Sequence, residues 1–248
     1  MHVALDAEET RALLHDVPKA WHTQPQEPLL TALAQALAGW TGRSAALVDV
    51  EGHGREEVLP DVDVSRTVGW FTRFFPAVVD LRGAHGPGEA LRAVKEGLRA
   101  VPSQGMGWGL LRYVARDAGL ASLPVAEVGF NHLGQVDGSV EAGAPFALVP
   151  EGERLRQRAP GSRRPYALEV VSVVREGRLE ATWTFSEAVH RRETVARVAE
   201  DFLARLRVLV AASRAPDAGG HSPSDFPLAK VKQAQLDKLS ARFGKKTR

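Results

Sequence analysis

The densest group of reactive side chains is Glu51-Gly52-His53-Gly54-Arg55-Glu56. It follows directly on the apolar Val48–Val50 run, which reads as the end of a strand. A carboxylate at a strand end, with an imidazole and a guanidinium beside it, has the composition of a general base whose partners set its protonation state. The two glycines permit a tight turn or the close approach of another group. On spacing alone, a charged surface turn accounts for the same residues.

Three more segments offer chemistry. Arg66-Thr67-Val68-Gly69-Trp70-Phe71-Thr72, followed by Phe74-Phe75-Pro76, gathers four aromatics that fit an apolar channel or, locally better, core packing. Gly105-Met106-Gly107-Trp108-Gly109 alternates glycine, which implies backbone freedom or close packing. Its spacing is not that of a dinucleotide fingerprint, and it lacks the Gly-Lys-Ser/Thr ending of a P-loop, so no nucleotide is expected. Phe130-Asn131-His132-Leu133-Gly134-Gln135 closes another strand candidate. There Asn131, His132 and Gln135 can hydrogen-bond a ligand, with a structural histidine as the alternative reading. The 8 histidines are dispersed, with no His-x-x-x-His pair, so no metal site is expected. No Gly-x-Ser-x-Gly elbow supports a serine hydrolase.

The elements that must position these groups follow from periodicity. A strand at Val3–Leu5 precedes an acidic helix start at Asp6-Ala7-Glu8-Glu9. Leu29, Leu30, Leu33, Leu37 and Trp40 share a helical face, with Pro28 near the start and Gly42 past the end. Ala45–Val50 reads as a buried strand. Leu91, Val94, Leu98 and Val101 mark a helix stopped by Pro102. Val125–Asn131 is a strand candidate, and 138–165, without a period, reads as a long loop. Leu168–Val174 is apolar at nearly every position, as a strand covered on both faces would be. Leu179, Ala181, Trp183 and Phe185 alternate with polar residues, and Glu176-Gly177 turns between the two strands. Val195, Val198, Phe202, Leu206 and Leu209 line a long amphipathic helix. Residues 212–227 have linker composition, and Val231, Leu236 and Leu239 mark a last short helix. Mixed strands and helices with a hairpin predict an α/β or α+β sandwich.

Composition narrows the function classes. The chain has 248 residues, 44% hydrophobic and 25% charged, which excludes a disordered chain. With no cysteine it has no disulfide, thiolate metal site or cysteine nucleophile, and it fits a reducing compartment. A net charge of +2, most concentrated at Arg163-Arg164 and the Lys245–Arg248 tail, argues against nucleic acid. No apolar run is long enough to span a membrane, and the first residues are unlike a signal peptide.

In order, the segments resemble motifs of the epimerization domains of nonribosomal peptide synthetases, relatives of the condensation domains. Glu27–Leu33 resembles the helix motif before the active-site strand. Glu51–Glu56 matches EGHGRE at all six positions. Arg66–Pro76 is similar to RTVGWFT-x-x-(Y/F)-P. Pro102–Gly109 resembles P-x-x-G-x-G-Y-G, with Trp108 for Tyr. Phe130–Gln135 resembles FNYLGQ, with His132 for Tyr. Ser222–Pro227 is similar to the linker that often follows such domains. The family's HHxxxDG motif is absent, and no His-His pair occurs.

The resemblance implies a fold of two chloramphenicol-acetyltransferase-like lobes with the active site between them. This chain is expected to be the C-terminal lobe alone: residues 1–213 the lobe, a mixed sheet flanked by helices, 214–227 a linker, and 228–248 a short helix with a basic tail. The implied reaction inverts the α-carbon of an aminoacyl or peptidyl thioester on the 4′-phosphopantetheine arm of a peptidyl carrier protein. Glu51 is the group implied for this lobe, as base, acid or orienting residue. His53 and Arg55 would fix the turn and tune Glu51, and Asn131 and His132 would lie near the substrate. Ser172 and Trp70 are candidates for contacting the arm, with a buried serine bonded to backbone as the alternative for Ser172. The expected partners are the carrier protein, an N-terminal lobe bearing HHxxxDG, and a second copy through the exposed lobe face. The expected location is the cytoplasm. Half an active site implies no activity alone. A non-catalytic carrier-binding module and a condensation-type acyltransferase lobe are the alternatives.

Overall fold

The structure, a computed structural model, describes residues 1–56, 61–136, 162–216, 218–229 and 231–243. In chain order these form β1 (His2–Ala4), α1 (Ala7–Trp21), α2 (Gln26–Thr41), β2 (Ala45–Gly52), β3 (Arg73–Asp80), α3 (Pro87–Arg99) and α4 (Met106–Gly109). There follow α5 (Ala118–Ala121), β4 (Val128–Gln135), β5 (Leu168–Arg175), β6 (Arg178–Phe185), α6 (Arg192–Ser213) and α7 (Gln233–Phe243). The six strands make one sheet in the order β1-β6-β5-β4-β2-β3. β2, β4 and β5 run parallel, and β1, β6 and β3 join antiparallel at the two sides. This is the expected mixed sheet flanked by helices.

Strand alternation sorts the sheet into two faces. Val48, Val50, Phe75, Ala77, Phe130, Val170, Ala181 and Trp183 point into a buried layer with α1, α2 and α6. The other face carries Asp49, Glu51, Phe74, Val78, Asn131, Glu169 and Val171, none of them fully buried. β5 therefore differs from the expectation of two covered faces: residues 168, 170, 172 and 174 are buried, and those between them only half so. Its mostly apolar run reflects a central strand that also sets Val171 and Val173 on the second face, beside Glu169.

The helix starts and turns follow local chemistry. Asp6 caps α1 by accepting from the Glu9 amide at 2.8 Å, and Glu9 accepts from the Asp6 amide at 3.1 Å. Glu9 also pairs with Arg207 of α6 at 2.6 Å, tying two helices of the layer together. α2 is buried on nearly every side from Glu27 to Leu37, more than a one-sided stripe requires, because it lies between α3 and α6 against the sheet. At the β5–β6 turn, Glu176 and Gly177 have φ of 50° and 71°, as a two-residue hairpin turn that matches strand twist demands.

The stretch with linker composition is held to the body. Ser222 is buried, and Asp225 bonds the Lys95 ammonium of α3 at 2.7 Å and Arg99 at 2.9 Å. Lys95 also donates to the Trp21 carbonyl at 2.8 Å, so its buried charge has two acceptors. Glu96 accepts from the Ser224 amide, and Arg99 reaches back to Glu27 at 2.7 Å. The period-free segment lies mostly outside the described residues, as does the basic tail. Among the described residues, no helix is long and apolar enough to cross a membrane.

Candidate functional site

β2 runs to Gly52 rather than ending at Val50, so Glu51 sits within a strand and faces away from the helix layer. β4 begins at Val128 and extends through Gln135, so Phe130–Gln135 makes up the C-terminal part of the strand itself. Val50 pairs with Phe130 across the parallel β2–β4 ladder. The next residues, Glu51 and Asn131, then stand side by side on the face opposite the helix layer. Asn131 Nδ2 donates to Glu51 Oε2 at 2.6 Å.

The Glu51 carboxyl is half-buried. Burial raises its proton affinity above the ordinary glutamate value, Glu169 on the same sheet face raises it further, and the Asn131 hydrogen bond works the other way. A carboxyl pushed upward and held by one amide on an accessible face can take a proton from a bound substrate or return one.

One step back along the same face, Asp49 accepts from the Tyr166 hydroxyl at 3.2 Å. The Tyr166 ring lies over Gly129, where any Cβ would come within 2.5 Å of it. Burial raises the Asp49 carboxyl, and the Tyr166 hydrogen bond partly offsets this. Burial and then the Asp49 charge push the Tyr166 phenol far above its usual range, so it remains a protonated donor.

Asp49, Glu169 and Tyr166 were not among the residues read from the sequence. The first was legible, since two residues before Glu51 on a strand means the same face. Tyr166 was not: it reaches Asp49 across 117 residues of chain.

The rest of the EGHGRE segment builds the loop beside the site. Arg55 turns away from Glu51 and donates to the carbonyls of Val64, Thr67 (2.9 Å) and Gly69 (3.1 Å), with its guanidinium 4.5 Å from the Phe71 ring centre. Gly54 has φ of 69°, and a Cβ there would lie 1.7 Å from the Phe71 carbonyl oxygen, so only glycine allows this approach. Glu56 pairs with Arg73, and although burial opposes its ionisation, the Arg73 hydrogen bond holds the carboxyl below the ordinary value. The His53 imidazole is exposed; its Nδ1 accepts from the Arg55 amide at 3.0 Å, and its Nε2 lies 3.6 Å from Glu56.

The 63–71 loop is not core. Trp70 is 89% exposed and Val68 fully so, and of the four aromatics only Phe75 is buried. Gly105, with φ of 87°, packs directly on the Phe75 ring. His132 and Ser172 follow the alternatives given for them, a structural histidine and a buried serine bonded to backbone, rather than substrate and arm contacts. Both occupy helix-side positions of their strands, opposite to Glu51 and Asn131, and Ser172 is 0% exposed. They bond each other at 3.0 Å behind the sheet. Among the described residues, no three metal-ligating side chains come together.

Comparison with known proteins places this geometry. Residues 1–227 match the family described as Condensation domain. The chain is 44% identical over 241 residues to a Linear gramicidin synthase polypeptide of Brevibacillus parabrevis, covering 96% of this chain and 5% of that protein. It is 44% identical over 244 residues to Chondramide synthase cmdD of Chondromyces crocatus, covering 98% of this chain and 6% of that protein. The crystal structure of the epimerization domain from the third module of tyrocidine synthetase B superposes with a TM-score of 0.76 at 30% identity, over 86% of this chain and 48% of that one. The chain thus spans a small part of the synthases it matches and about half of that domain. Its mixed sheet flanked by helices matches a chloramphenicol-acetyltransferase-like lobe of such domains. With the match running from the first residue to the end of the docked 222–227 segment, the chain belongs to the condensation-domain family.

Proposed function

We propose that this chain is the C-terminal lobe of a nonribosomal peptide synthetase epimerization domain, with Glu51 as the carboxyl it contributes to inversion at an α-carbon. The observation that carries this is the Glu51–Asn131 pair, 2.6 Å apart on the sheet face opposite the layer of α1, α2 and α6. Phe74, which pairs with Glu51 across the β2–β3 ladder, and Leu133 are exposed and add apolar surface suited to a second lobe. The EGHGRE and RTVGWFT segments favour epimerization over peptide-bond formation.

The substrate in this reading is an aminoacyl or peptidyl thioester on a carrier protein's 4′-phosphopantetheine arm. The α-C–H bond breaks, its proton passes to a base on one face, and the electron pair delocalises into the thioester as an enolate. A protonated group on the opposite face then delivers a proton to the same carbon. The bond count is unchanged and nothing is oxidised. Glu51 serves one face and the HHxxxDG lobe the other. A raised carboxyl is suited to either role, because its two protonation states lie closer in energy near neutral pH than those of an ordinary glutamate. Asn131 orients the carboxyl, and His53 and Arg55 shape the loop next to it. The buried Ser172 is assigned no contact with the arm, and Trp70 stands on the loop where an arm or the second lobe would pass. Alone, the chain is inactive in this reading. The lack of cysteine fits the reducing cytoplasm, where we place it.

The test joins this chain to the HHxxxDG lobe, adds a carrier protein loaded with an L-aminoacyl group, and measures the D/L ratio after release. Approach to a mixture from either enantiomer is expected. Peptide-bond formation without inversion indicates condensation, and carrier binding with neither reaction indicates a non-catalytic module; either result overturns the proposal.

A further inference from the structure

The Asn131 amide that holds Glu51 is itself held from behind the sheet. Asn131 and His132 are adjacent on β4, so alternation sends their side chains to opposite faces. On the helix side, Ser172 Oγ donates to the Asn131 main-chain carbonyl at 3.3 Å and lies 3.0 Å from His132 Nδ1. A serine hydroxyl has one proton. With that proton on the Asn131 carbonyl, His132 must present Nδ1–H to the serine oxygen. The relay is then His132 Nδ1–H to Ser172 Oγ, and Ser172 Oγ–H to the Asn131 carbonyl. Burial lowers the His132 imidazole below its ordinary value, in keeping with a neutral ring that donates from one nitrogen.

The place of this relay matters. His132 pairs with Ser172 on the β4–β5 ladder, and the register shifts immediately afterwards, before Gln135 meets Val174. Gly134, with φ of 74°, lies in that irregular stretch. The regular ladder that would fix Asn131 therefore stops one residue beyond it. Side-chain hydrogen bonds from the half-buried His132 and the fully buried Ser172 take over at that point.

We propose that His132 and Ser172 form a positioning pair that fixes Asn131 and, through its amide, the carboxylate geometry of Glu51. They touch neither substrate nor arm; they act through the sheet. The effect on Glu51 rests on geometry alone, and only its consequence for turnover rests on the epimerase reading.

Among the described residues, the groups facing Glu51 are Asn131 from β4, Glu169 from β5, Tyr166 just before β5, Phe74 from β3, and Asp49 on its own strand. Gln26 of α2 donates to its main-chain carbonyl at 3.4 Å. Of these, Asn131 alone favours the charged carboxylate by a side-chain hydrogen bond. Loosening Asn131 must therefore raise the pH at which Glu51 titrates.

The experiment uses the chain as it is, labelled with 13C at glutamate carboxyls, and follows the Glu51 signal against pH without substrate. Asn131→Ala sets the scale, an upward shift of about one pH unit, or tenfold in proton affinity. Ser172→Ala is expected to shift the midpoint upward by part of that amount, and Ser172→Thr, which keeps the hydroxyl, to restore it. His132→Phe keeps the ring shape, removes the Nδ1 donor, and gives the same reading if Ser172→Ala fails to fold. A Glu51 midpoint unchanged in both Ser172→Ala and His132→Phe overturns the proposal. So does Ser172→Thr shifting as far as alanine, or Asn131→Ala not shifting at all. Because no turnover is measured, failure here leaves the epimerase reading standing, and failure of inversion leaves this result standing.

Discussion

Arg55→Ala separates two roles that the EGHGRE segment confounds. In the structure Arg55 holds the 63–71 loop through the carbonyls of Val64, Thr67 and Gly69 and stacks on Phe71. Each such bond, charged on one side and partly exposed, contributes about 1 kcal/mol net. Three of them, with some return from water at the freed carbonyls, amount to about 2–3 kcal/mol of loop stability, or about 30- to 150-fold in the opening equilibrium. Hydrogen exchange followed by mass spectrometry reads this directly. The Thr67 amide, bonded to the Val64 carbonyl at 3.1 Å, reports on the turn inside the loop. Exchange over 64–69 is expected to accelerate by that factor, while the helix layer keeps its protection. Arg55→Lys is expected to recover less than half, since one ammonium cannot span three carbonyls. The Glu51 titration should stay where it is. Unchanged loop exchange, or a Glu51 midpoint that moves as the loop opens, would refute the assignment of Arg55 as a loop staple.

Other perturbations have equally definite outcomes. Gly54→Ala forces a Cβ against the Phe71 carbonyl in a left-handed backbone, so it should open the 53–71 contact and raise proteolytic nicking there, and an intact loop would contradict the 1.7 Å approach. Asp225→Ala leaves the buried Lys95 ammonium with only the Trp21 carbonyl and should lower the urea-unfolding free energy by about 3 kcal/mol; Lys95→Met/Asp225→Ala should lose less than the two single losses added. His22 stacks on His221 at 4.3 Å, and burial and then the His221 charge hold its imidazole below the ordinary value. Lys95 and Arg99 lower it further and Asp225 opposes them. The unfolded chain then binds more protons as pH falls, so stability is full above about pH 6.5 and declines below it. His22→Asn, which tolerates the left-handed φ of 55°, should flatten that decline.

The parts of the fold with strong local periodicity were legible. The Leu29–Leu37 stripe, the β5–β6 hairpin and the α6 stripe need only chain-neighbour patterns. The candidate site was legible in part, because Glu51 and Asn131 each end or follow apolar strand runs. What spacing did not carry was direction. Read as one hydrogen-bonding unit, Phe130–Gln135 placed Asn131 and His132 together, yet once β4 extends through them their side chains must separate to opposite faces. Arg55, four residues from Glu51, spends its donors on carbonyls up to 14 residues away, which nothing in the hexapeptide encodes. Lys95 sits within the apolar stripe of α3, and its acceptor Asp225 lies 130 residues further on, in a stretch whose Ser, Pro and Gly content suggested a linker. Composition reports flexibility of the unfolded segment; the buried ammonium decides where it docks.

The central claim is that the Glu51 carboxyl serves the α-carbon from the sheet face opposite the helix layer. In a two-lobed protein combining this chain with the HHxxxDG lobe, the most direct measurement is the rate of L-to-D inversion on a loaded carrier for wild type and Glu51→Gln. The glutamine keeps the shape and an acceptor for Asn131 but cannot exchange a proton. Loss of about 100-fold or more in rate, with an unchanged unfolding midpoint, is predicted from the usual scale of acid–base catalysis. Inversion at the wild-type rate in Glu51→Gln would contradict it.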